Sequence, residues 1–478
     1  MITLESVSYS YPRTGREAVS DLTLDLARGE CVMICGHSGS GKTTLCLAAA
    51  GILEHEYGGK KAGRIVVAGK DVRDYRDLSD ISSNVGILFD DPDSQLIFTT
   101  VEEEILSALE RRGFSAEEVE ERLARVLEIT QLTSLKDRPP HALSGGQKQR
   151  VVLATTLALG TDILILDEPT SELDEQGTEN IVSLLKDLKA QGKTILLVEH
   201  KYRKMADLVD RLVILEDGKI RNEGIPATVL EDEAARRILI PDFSGIRNGC
   251  VKKGGATPVI HTEGLTFSYG EGDALSEVSL DIYPGEFVAI VGENGSGKTT
   301  LVKHFIGLLR PGKGTVMVDG KNASTAPVAT LAHSVGLVFQ NPDHMFFADS
   351  VFDEVAFGVD NLGIPDREKV VSNALSSVRL SEARDLYPRW LSRGERQRLA
   401  IACVLAMQPA VLVLDEPTTG LDGSESREII EILKQLQEKG HTIIMITHSR
   451  EIAEECAARV VRMEHGRIIS DICRGEGE

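Results

Sequence analysis

Gly36-His-Ser-Gly-Ser-Gly-Lys-Thr-Thr44 and Gly292-Glu-Asn-Gly-Ser-Gly-Lys-Thr-Thr300 spell the same loop twice, each directly after a short apolar run that reads as a buried strand. Glycine suits such a loop because backbone N–H groups must turn inward toward phosphate oxygens with no Cβ in the way, and the helix that follows adds its N-terminal dipole. Lys42 and Lys298 are placed to reach the β- and γ-phosphates, and Thr43 and Thr299 to ligate Mg²⁺. The pattern nominates Gly36, Ser38, Gly39, Ser40, Gly41, Lys42, Thr43 and Thr44 in one copy as nucleotide-binding. In the other it nominates Gly292, Asn294, Gly295, Ser296, Gly297, Lys298, Thr299 and Thr300. One such loop can be a chance surface turn, but two in register across a repeat cannot.

The spacing of the two copies defines that repeat. Lys42 and Lys298 lie 256 residues apart, whereas Ser144 and Ser392, Asp167 and Asp415, and His200 and His448 lie 248 apart. Most of the difference falls between the loop and the next apolar run, where Glu54-His-Glu-Tyr-Gly-Gly-Lys-Lys61 is longer than its counterpart near Arg310-Pro-Gly-Lys313. The predicted domains are 1–239 and 259–478, joined by a linker over 240–258 in which Gly245, Gly249, Gly254 and Gly255 interrupt any period. Within each copy, strand-like runs alternate with helical patterns: Cys31–Cys35, Ile163–Leu166 and Thr194–Val198, then Phe287–Val291, Val411–Leu414 and Thr442–Ile446. That alternation predicts an α/β fold with a mostly parallel sheet covered by helices. Each copy ends in a predicted hairpin, turned at Asp217-Gly218 and His465-Gly466. A helix-rich insert lies between the loop and the second strand; Ser115 and Glu118 form a capping box before the apolar face of Val119, Leu123, Val126 and Leu127.

Composition excludes some roles. A net charge of −21 argues against a nucleic-acid partner, which requires clustered Lys and Arg to displace counterions. Seven scattered cysteines, odd in number and without metal-ligand spacing, predict a reducing compartment, with Cys31 and Cys35 as core residues of a strand. No apolar stretch approaches the roughly 18 residues of a membrane span, and the chain opens into strand-like Ile2-Thr-Leu4, so a cytoplasmic protein without direct membrane insertion is expected.

Two further motifs carry chemistry. Ile163-Leu-Ile-Leu-Asp-Glu168 and Val411-Leu-Val-Leu-Asp-Glu416 are apolar strands ending in two acids, at the sheet edge where an open α/β sheet places its ligand. Asp167 and Asp415 suit a Mg²⁺ shell. Glu168 and Glu416, one residue on, are positioned either as general base or as the group that orients an attacking water. Leu143-Ser-Gly-Gly-Gln147 starts a helix with a capping Ser144 and the exposed N–H groups of Gly145 and Gly146, an anion site by construction.

Together the loop, Ser-Gly-Gly-Gln, the Asp-Glu strand, Ser171-Glu-Leu-Asp174 and His200 after a strand resemble the ATP-binding-cassette ATPases, twice over nearly the whole chain. The resemblance implies two tandem P-loop NTPase domains, each a mostly parallel sheet with an antiparallel β part and a helical insert, and an ATPase that uses Mg²⁺. It also implies a head-to-tail pseudo-dimer in which each ATP lies between the loop of one half and the Ser144 or Ser392 helix of the other. Tyr11 and Tyr269 match the family's adenine-stacking aromatic or are ordinary strand-end tyrosines. His200 and His448 match its γ-phosphate-contacting histidine, and Gln340 its glutamine near the metal.

On that reading the two sites are unequal. Lys298, Asp415, Glu416, Gln340 and His448 are completed by Ser144, Gly145, Gly146 and Gln147, and match the family throughout. Lys42, Asp167, Glu168 and His200 have Asp90 in place of the glutamine and are completed by Ser392-Arg393-Gly394-Glu395. Arg393 replaces a glycine, and Glu395 is expected to bring a carboxylate near a polyphosphate. The second site is expected to hydrolyse ATP and the first mainly to bind it. Phe339-Gln-Asn-Pro-Asp-His-Met-Phe-Phe347 through Gly358, and Phe89 through Ile105, look like the energy-coupling-factor importers of vitamins or cobalt and nickel ions. That likeness implies transmembrane subunits as partners and a place on the cytoplasmic face of the membrane. Two other duplicated types share the two cassettes: soluble proteins acting on ribosomes or in DNA repair, disfavoured by the short joint and acidic charge, and fused sugar-importer ATPases, disfavoured because both loops are complete.

Overall fold

The computed structural model describes residues 1–12, 17–110, 112–171, 173–200, 202–239, 243, 257–270 and 272–473. Nearly all of the predicted linker lies outside them. The chain divides into two compact units, Met1–Pro241 with Asp422–Ser424, and Asp242–Leu421 with Glu425–Glu478.

Unit 1 opens with a four-stranded antiparallel sheet in the order β2-β1-β4-β5, made from β1 (Ile2–Ser10), β2 (Val19–Leu26), β4 (Lys60–Val67) and β5 (Lys70–Asp71). Along β1 the buried side chains are Ile2 and Leu4, then Val7 and Tyr9. The change of parity falls where the register shifts and Ser6 takes φ 48°, a bulge that keeps one face apolar. A second sheet of six strands runs β10-β9-β3-β8-β7-β6. Its members are β3 (Cys31–Gly36), β6 (Val85–Leu88), β7 (Ile163–Asp167), β8 (Thr194–Val198), β9 (Arg211–Glu216) and β10 (Lys219–Gly224). All neighbours pair in parallel except the final hairpin. Strands β3, β7 and β8 are buried at every residue, as unbroken Val/Ile/Leu runs require when both faces are covered.

One face of this sheet packs on α1 (Lys42–Ala49) and the antiparallel sheet, joining Val32, Ile34 and Ile165 to Leu4, Leu24 and Leu45. The opposite face carries Met33, Leu164 and Leu197 against α5 (Glu175–Ala190). The insert is a separate cluster of α2 (Val101–Glu110), α3 (Ala116–Ile129) and α4 (Gly145–Ala158) around Ile105, Leu127 and Val151. The capping box of Ser115 and Glu118 forms as predicted, and Val126 and Leu127 are buried while Val119 and Leu123 pack partly buried beside them.

Unit 2 repeats the plan. Its antiparallel sheet, β12-β11-β14-β15, uses β11 (Ile260–Ser268), β12 (Asp273–Ile282), β14 (Lys313–Val318) and β15 (Lys321–Asn322). The six-stranded sheet, β16-β17-β18-β13-β19-β20, uses β13 (Phe287–Val291), β16 (Val335–Val338), β17 (Val411–Asp415), β18 (Thr442–Thr447), β19 (Arg459–Glu464) and β20 (Arg467–Cys473). The helices that matter for the site are α6 (Lys298–Phe305), α7 (Val351–Asn361), α8 (Arg367–Ser377) and α9 (Arg393–Ala406). Both predicted hairpins form, with Asp217, Gly218, His465 and Gly466 all at positive φ, the twist that a two-residue connection between right-twisted strands needs.

Cys31 and Cys35 are buried core residues, as expected, and burial pushes the Cys31 thiol up to about 12. Cys473 departs from the expectation of reduced cysteines: it is disulfide-bonded. Among the described residues no helix is long and apolar enough to cross a membrane.

Ile165 sits fully buried in β7, two residues before Asp167. Replacing it by Ala leaves a cavity between the two sheets and is expected to lower the stability of unit 1 by about 3 kcal/mol, read as a shift of the urea-unfolding midpoint of the full chain.

Candidate functional site

In unit 1 the carboxyl ends of β3, β7 and β8 lie side by side, because β8 is inserted between β3 and β7 in the sheet. The loop after β3 turns at Gly39 and Gly41, with φ 75° and 103°. At Gly41 a Cβ would stand 2.5 Å from the Ala18 carbonyl oxygen, so glycine is required by space as well as by conformation. Lys42 is buried and donates from Nζ to the carbonyls of Gly36 and His37, at 2.9 and 3.0 Å, which holds its ammonium in the cradle of its own loop. The Ser40 hydroxyl is buried in this loop without a hydrogen-bond partner among the described residues.

Asp167 ends β7 with a side chain almost wholly buried, and its Oδ2 has no hydrogen-bond partner among the described residues. Burial, followed by the charges of Glu168 and Asp90, pushes its carboxyl up to about 7, against a hydrogen bond from Thr43 and the charge of Lys42. Glu168 takes φ 51°, an uncommon backbone for a non-glycine residue. Its N–H donates to Val198 O at 2.9 Å, and its Oε1 lies 3.1 Å from His200 Nε2.

Unit 2 reproduces this set. Lys298 donates to the carbonyls of Gly292 and Glu293, at 2.8 and 2.9 Å, and a Cβ at Gly297 would stand 2.7 Å from Ala274 O. Thr299 Oγ1 donates to Asp415 Oδ2 at 2.8 Å. Burial raises Asp415 to about 6, with the Thr299 hydrogen bond opposing it. Glu416 again has φ 51° and donates its N–H to Ile446 O at 3.0 Å. Burial works to raise the Glu416 carboxyl, but His448, whose Nδ1 lies 2.9 Å from Oε2, outweighs it and holds the group below the usual carboxylate range. The two histidines thus face their glutamates through different ring nitrogens.

A threonine hydroxyl and one carboxylate oxygen at the end of a buried strand fit a hard, small cation that keeps waters and phosphate oxygens for its other positions. Thr43 with Asp167, and Thr299 with Asp415, would hold Mg²⁺ in this way; bound with nucleotide, the ion would neutralise phosphate charge. Among the described residues no cluster of three or more His, Cys, Asp or Glu suits a metal held by protein alone.

The two glycine-bearing helix starts differ less than their sequences suggest. Ser144 accepts from Gln147 N–H, and Gln147 Oε1 accepts from Ser144 N–H at 3.0 Å. Ser392 and Glu395 form the same reciprocal pair, with Glu395 Oε2 accepting from Ser392 N–H at 2.8 Å. The Glu395 carboxylate thus caps its own helix as Gln147 does, which leaves its charge at the helix start. The Arg393 guanidinium lies over Gly420, where a Cβ would come within 2.3 Å of Arg393 Cζ. The hydrogen bonds described for Ser144 and Ser392 stay within their own helix starts.

Tyr11 and Tyr269 both stand beside the helix that follows the loop. Tyr11 Oη is 3.2 Å from Thr44 Oγ1, and Tyr269 Oη is 3.5 Å from Thr300 Oγ1. Asp90 and Gln340 are exposed just past β6 and β16.

Two supporting residues escape the motif reading. Gln149, buried on α4, donates from Nε2 to the Glu168 carbonyl at 2.7 Å and so ties the helix to the strained residue. Glu199, 2% exposed, accepts from Thr170 N–H at 3.0 Å and from the His200 N–H at 3.0 Å, linking the segment after Glu168 to the histidine. The signal available for Gln149 was a long polar side chain on the inward face of an otherwise apolar helix.

The raised Asp167 carboxyl fixes a pH dependence. A carboxyl whose folded pKa exceeds its unfolded value of 3.8 contributes stability at low pH that is lost as pH rises through about 7. In protein stripped of nucleotide and magnesium, Asp167→Asn is expected to raise the melting temperature at pH 8 relative to the parent chain, to raise it less at pH 5, and to leave it unchanged only below about pH 4, where the acid is protonated in both states. Parallel melting curves across that range would contradict the assignment.

The ABC transporter family model matches residues 19–171 and 275–419. A putative ABC transporter ATP-binding protein of Methanosarcina mazei is 48% identical over 480 residues, covering 99% of this chain and 95% of the relative. A putative HMP/thiamine import ATP-binding protein, YkoD of Bacillus subtilis, is 32% identical over 490 residues, covering 96% and 89%. The solved structure of cbiO1 from Clostridium perfringens, part of the ABC transporter complex cbiONQ, is 38% identical and covers 45% of this chain and 88% of its own, with a TM-score of 0.43. Two matched cassettes and relatives that span almost the whole chain make this protein a member of the ABC transporter family, an ATP-hydrolysing subunit with two fused ATP-binding cassettes.

Proposed function

We propose that the chain energises an importer of the energy-coupling-factor group, on the cytoplasmic face of the membrane, with a vitamin or a transition-metal ion as cargo. The observation that carries this reading is the segment after β6 in unit 1 and after β16 in unit 2, Phe89–Ile105 and Phe339–Gly358. Its structure supports a docking role: Phe347 and Phe357 are 64% and 49% exposed, yet their rings pack edge to face with centroids 4.5 Å apart. Two aromatic rings kept exposed at one spot suit a grip on an apolar helix of a membrane subunit. The thiamine-import relative supports the vitamin side of the proposal. The functional boundaries remain 1–239 and 259–478, with 240–258 as linker.

Within the chain, the two cassettes work as an intramolecular head-to-tail pair. Glu416, oriented by His448 and with Gln340 near the metal, polarises the attacking water, and Lys298, Thr299 and Asp415 hold the magnesium nucleotide. Glu168 has an equivalent histidine partner in His200, but Asp90 adds a negative charge that already loads Asp167, and Arg393 stands where Ser144 is followed by Gly145. Glu395 caps its own helix and still brings a carboxylate to that helix start, so the asymmetry rests on Asp90, Arg393 and Glu395 together. ATP binding favours the closed pair, and hydrolysis reopens it, which is how the chain would pass work to its membrane partners.

Steady-state ATPase of Glu416→Gln is expected to fall about 100-fold or more, whereas Glu168→Gln loses little. Equal losses would remove the functional asymmetry. The importer reading is tested separately by solubilising native membranes in detergent and asking whether the chain purifies with integral membrane subunits.

A further inference from the structure

The longer segment of unit 1 ends beside Tyr11. Aligning Tyr11 with Tyr269 makes Ser8 equivalent to Thr266. In unit 2 the ladder between β11 and β14 stops at Thr266 paired with Lys313. In unit 1 the equivalent pair, Ser8 with Ala62, is followed by two more, Tyr9 with Lys61 and Ser10 with Lys60. The extra residues therefore prolong the sheet toward Tyr11 rather than looping away from it.

The turn beyond those rungs is fixed to β1. Tyr9 Oη donates to the Gly58 carbonyl at 2.6 Å, and Gly59, at φ 126°, approaches Ser10 so closely that a Cβ would stand 2.3 Å from its carbonyl oxygen. Lys61 Nζ donates to Glu54 O at 2.8 Å and ties the two ends of the segment together. The result is that Tyr57, 43% exposed, holds its ring 6.0 Å from that of Tyr11 at 79°, while Tyr9 supports Tyr11 from below at 4.9 Å and 89°. Tyr269 has the matching support from Phe267, at 4.9 Å and 88°, but the segment Arg310-Pro-Gly-Lys313 brings no aromatic ring to it, and it stands 64% exposed.

We propose that Tyr57 is a second aromatic wall of the base subsite in unit 1, so that a purine nucleotide meets a corner of two rings there and a single ring in unit 2. This rests on the reading of Tyr11 as the residue on which the base stacks. Two nearly perpendicular rings let a base lie flat on one and present its edge to the other, the two arrangements that aromatic quadrupoles favour. The consequence is tighter retention of nucleotide by the cassette with the poorer catalytic set. It also makes base selectivity stricter there, since a phosphate chain without a base gains nothing from the corner.

The test uses the full chain carrying Lys298→Ala, which removes the phosphate lysine of unit 2 and leaves unit 1 to be read alone. Calorimetric titration with Mg-ADP, which is not turned over, is compared with titration by magnesium tripolyphosphate, which has no base. Tyr57→Ala is expected to weaken ADP about tenfold and leave tripolyphosphate unchanged, and Tyr57→Phe to keep the parent affinity for both. ADP affinity unchanged in Tyr57→Ala would overturn the proposal, and so would an equal loss for both ligands, because that marks a structural defect rather than a lost wall. If Tyr11→Ala also leaves ADP affinity intact, or the Lys298→Ala chain binds no ADP, the underlying reading of unit 1 falls and the proposal with it.

Discussion

A carboxylate at the end of a strand with both faces covered cannot hydrate as it would at the surface, and the rest of each cassette is arranged around that fact. Asp167 and Asp415 end strands that are buried at every residue, and both are pushed toward neutrality by burial before any neighbour is counted. What makes the position tenable is local: a threonine hydroxyl and a lysine arrive from the helix that follows the phosphate loop, within reach of the acid. The next residue in each unit, Glu168 or Glu416, then sits at φ 51° with its N–H fixed to the neighbouring strand and its carboxylate against a histidine. An identical backbone outlier at both strand ends, each tied from two sides, is strain held where chemistry needs the side chain aimed.

Because the chain holds two copies, each serves as a control for the other. Some differences leave the local hydrogen bonds intact, and the Gln147 and Glu395 pair is the clearest case: an amide and a carboxylate accept the same backbone N–H one turn back along the helix, although only the second carries a charge. Other differences change what the site contains. Asp90 adds charge to an acid that burial has already raised, whereas unit 2 has the neutral Gln340 at that place. Buried Glu199 holds the Thr170 and His200 backbones, whereas its equivalent, Thr447, accepts from Ser449 N–H instead. Unit 1 thus has, in Asp90, a charge acting on Asp167 where unit 2 has a neutral amide, and a carboxylate, Glu199, that joins the Thr170 and His200 backbones.

The fold was legible because its signals are short-range and steric. A run such as Ile163–Leu166 has no polar face to offer solvent, so a strand buried on both sides is the economical reading. The paired loops and the Asp-Glu strand ends carried the site for the same reason, since Gly41 and Gly297 have no alternative with a side chain. What the sequence hid was everything that depends on which way a side chain turns. The cap that Glu395 forms on its own helix shows only in the geometry, and Gln149 reads as a polar residue on a helix until its amide is found on the Glu168 carbonyl. Tyr57 lay in a segment whose extra length was plain, but length alone does not say whether residues loop outward or extend a ladder.

That last distinction bears on how duplicated cassettes diverge. An insertion that merely loops outward leaves the conformation of its neighbours alone, at a chain-entropy cost that grows only slowly with length. An insertion that adds rungs to a sheet must satisfy backbone groups along its whole length and so acquires a fixed relation to the strand it pairs with. In unit 1 that relation is enforced three times over, by the two added pairs, by the Tyr9 hydroxyl on Gly58 and by a glycine that only fits without a side chain. Such a segment delivers its side chains to a repeatable place, and a binding surface can be altered in one copy without touching the loop, strand ends and helix starts that both copies share.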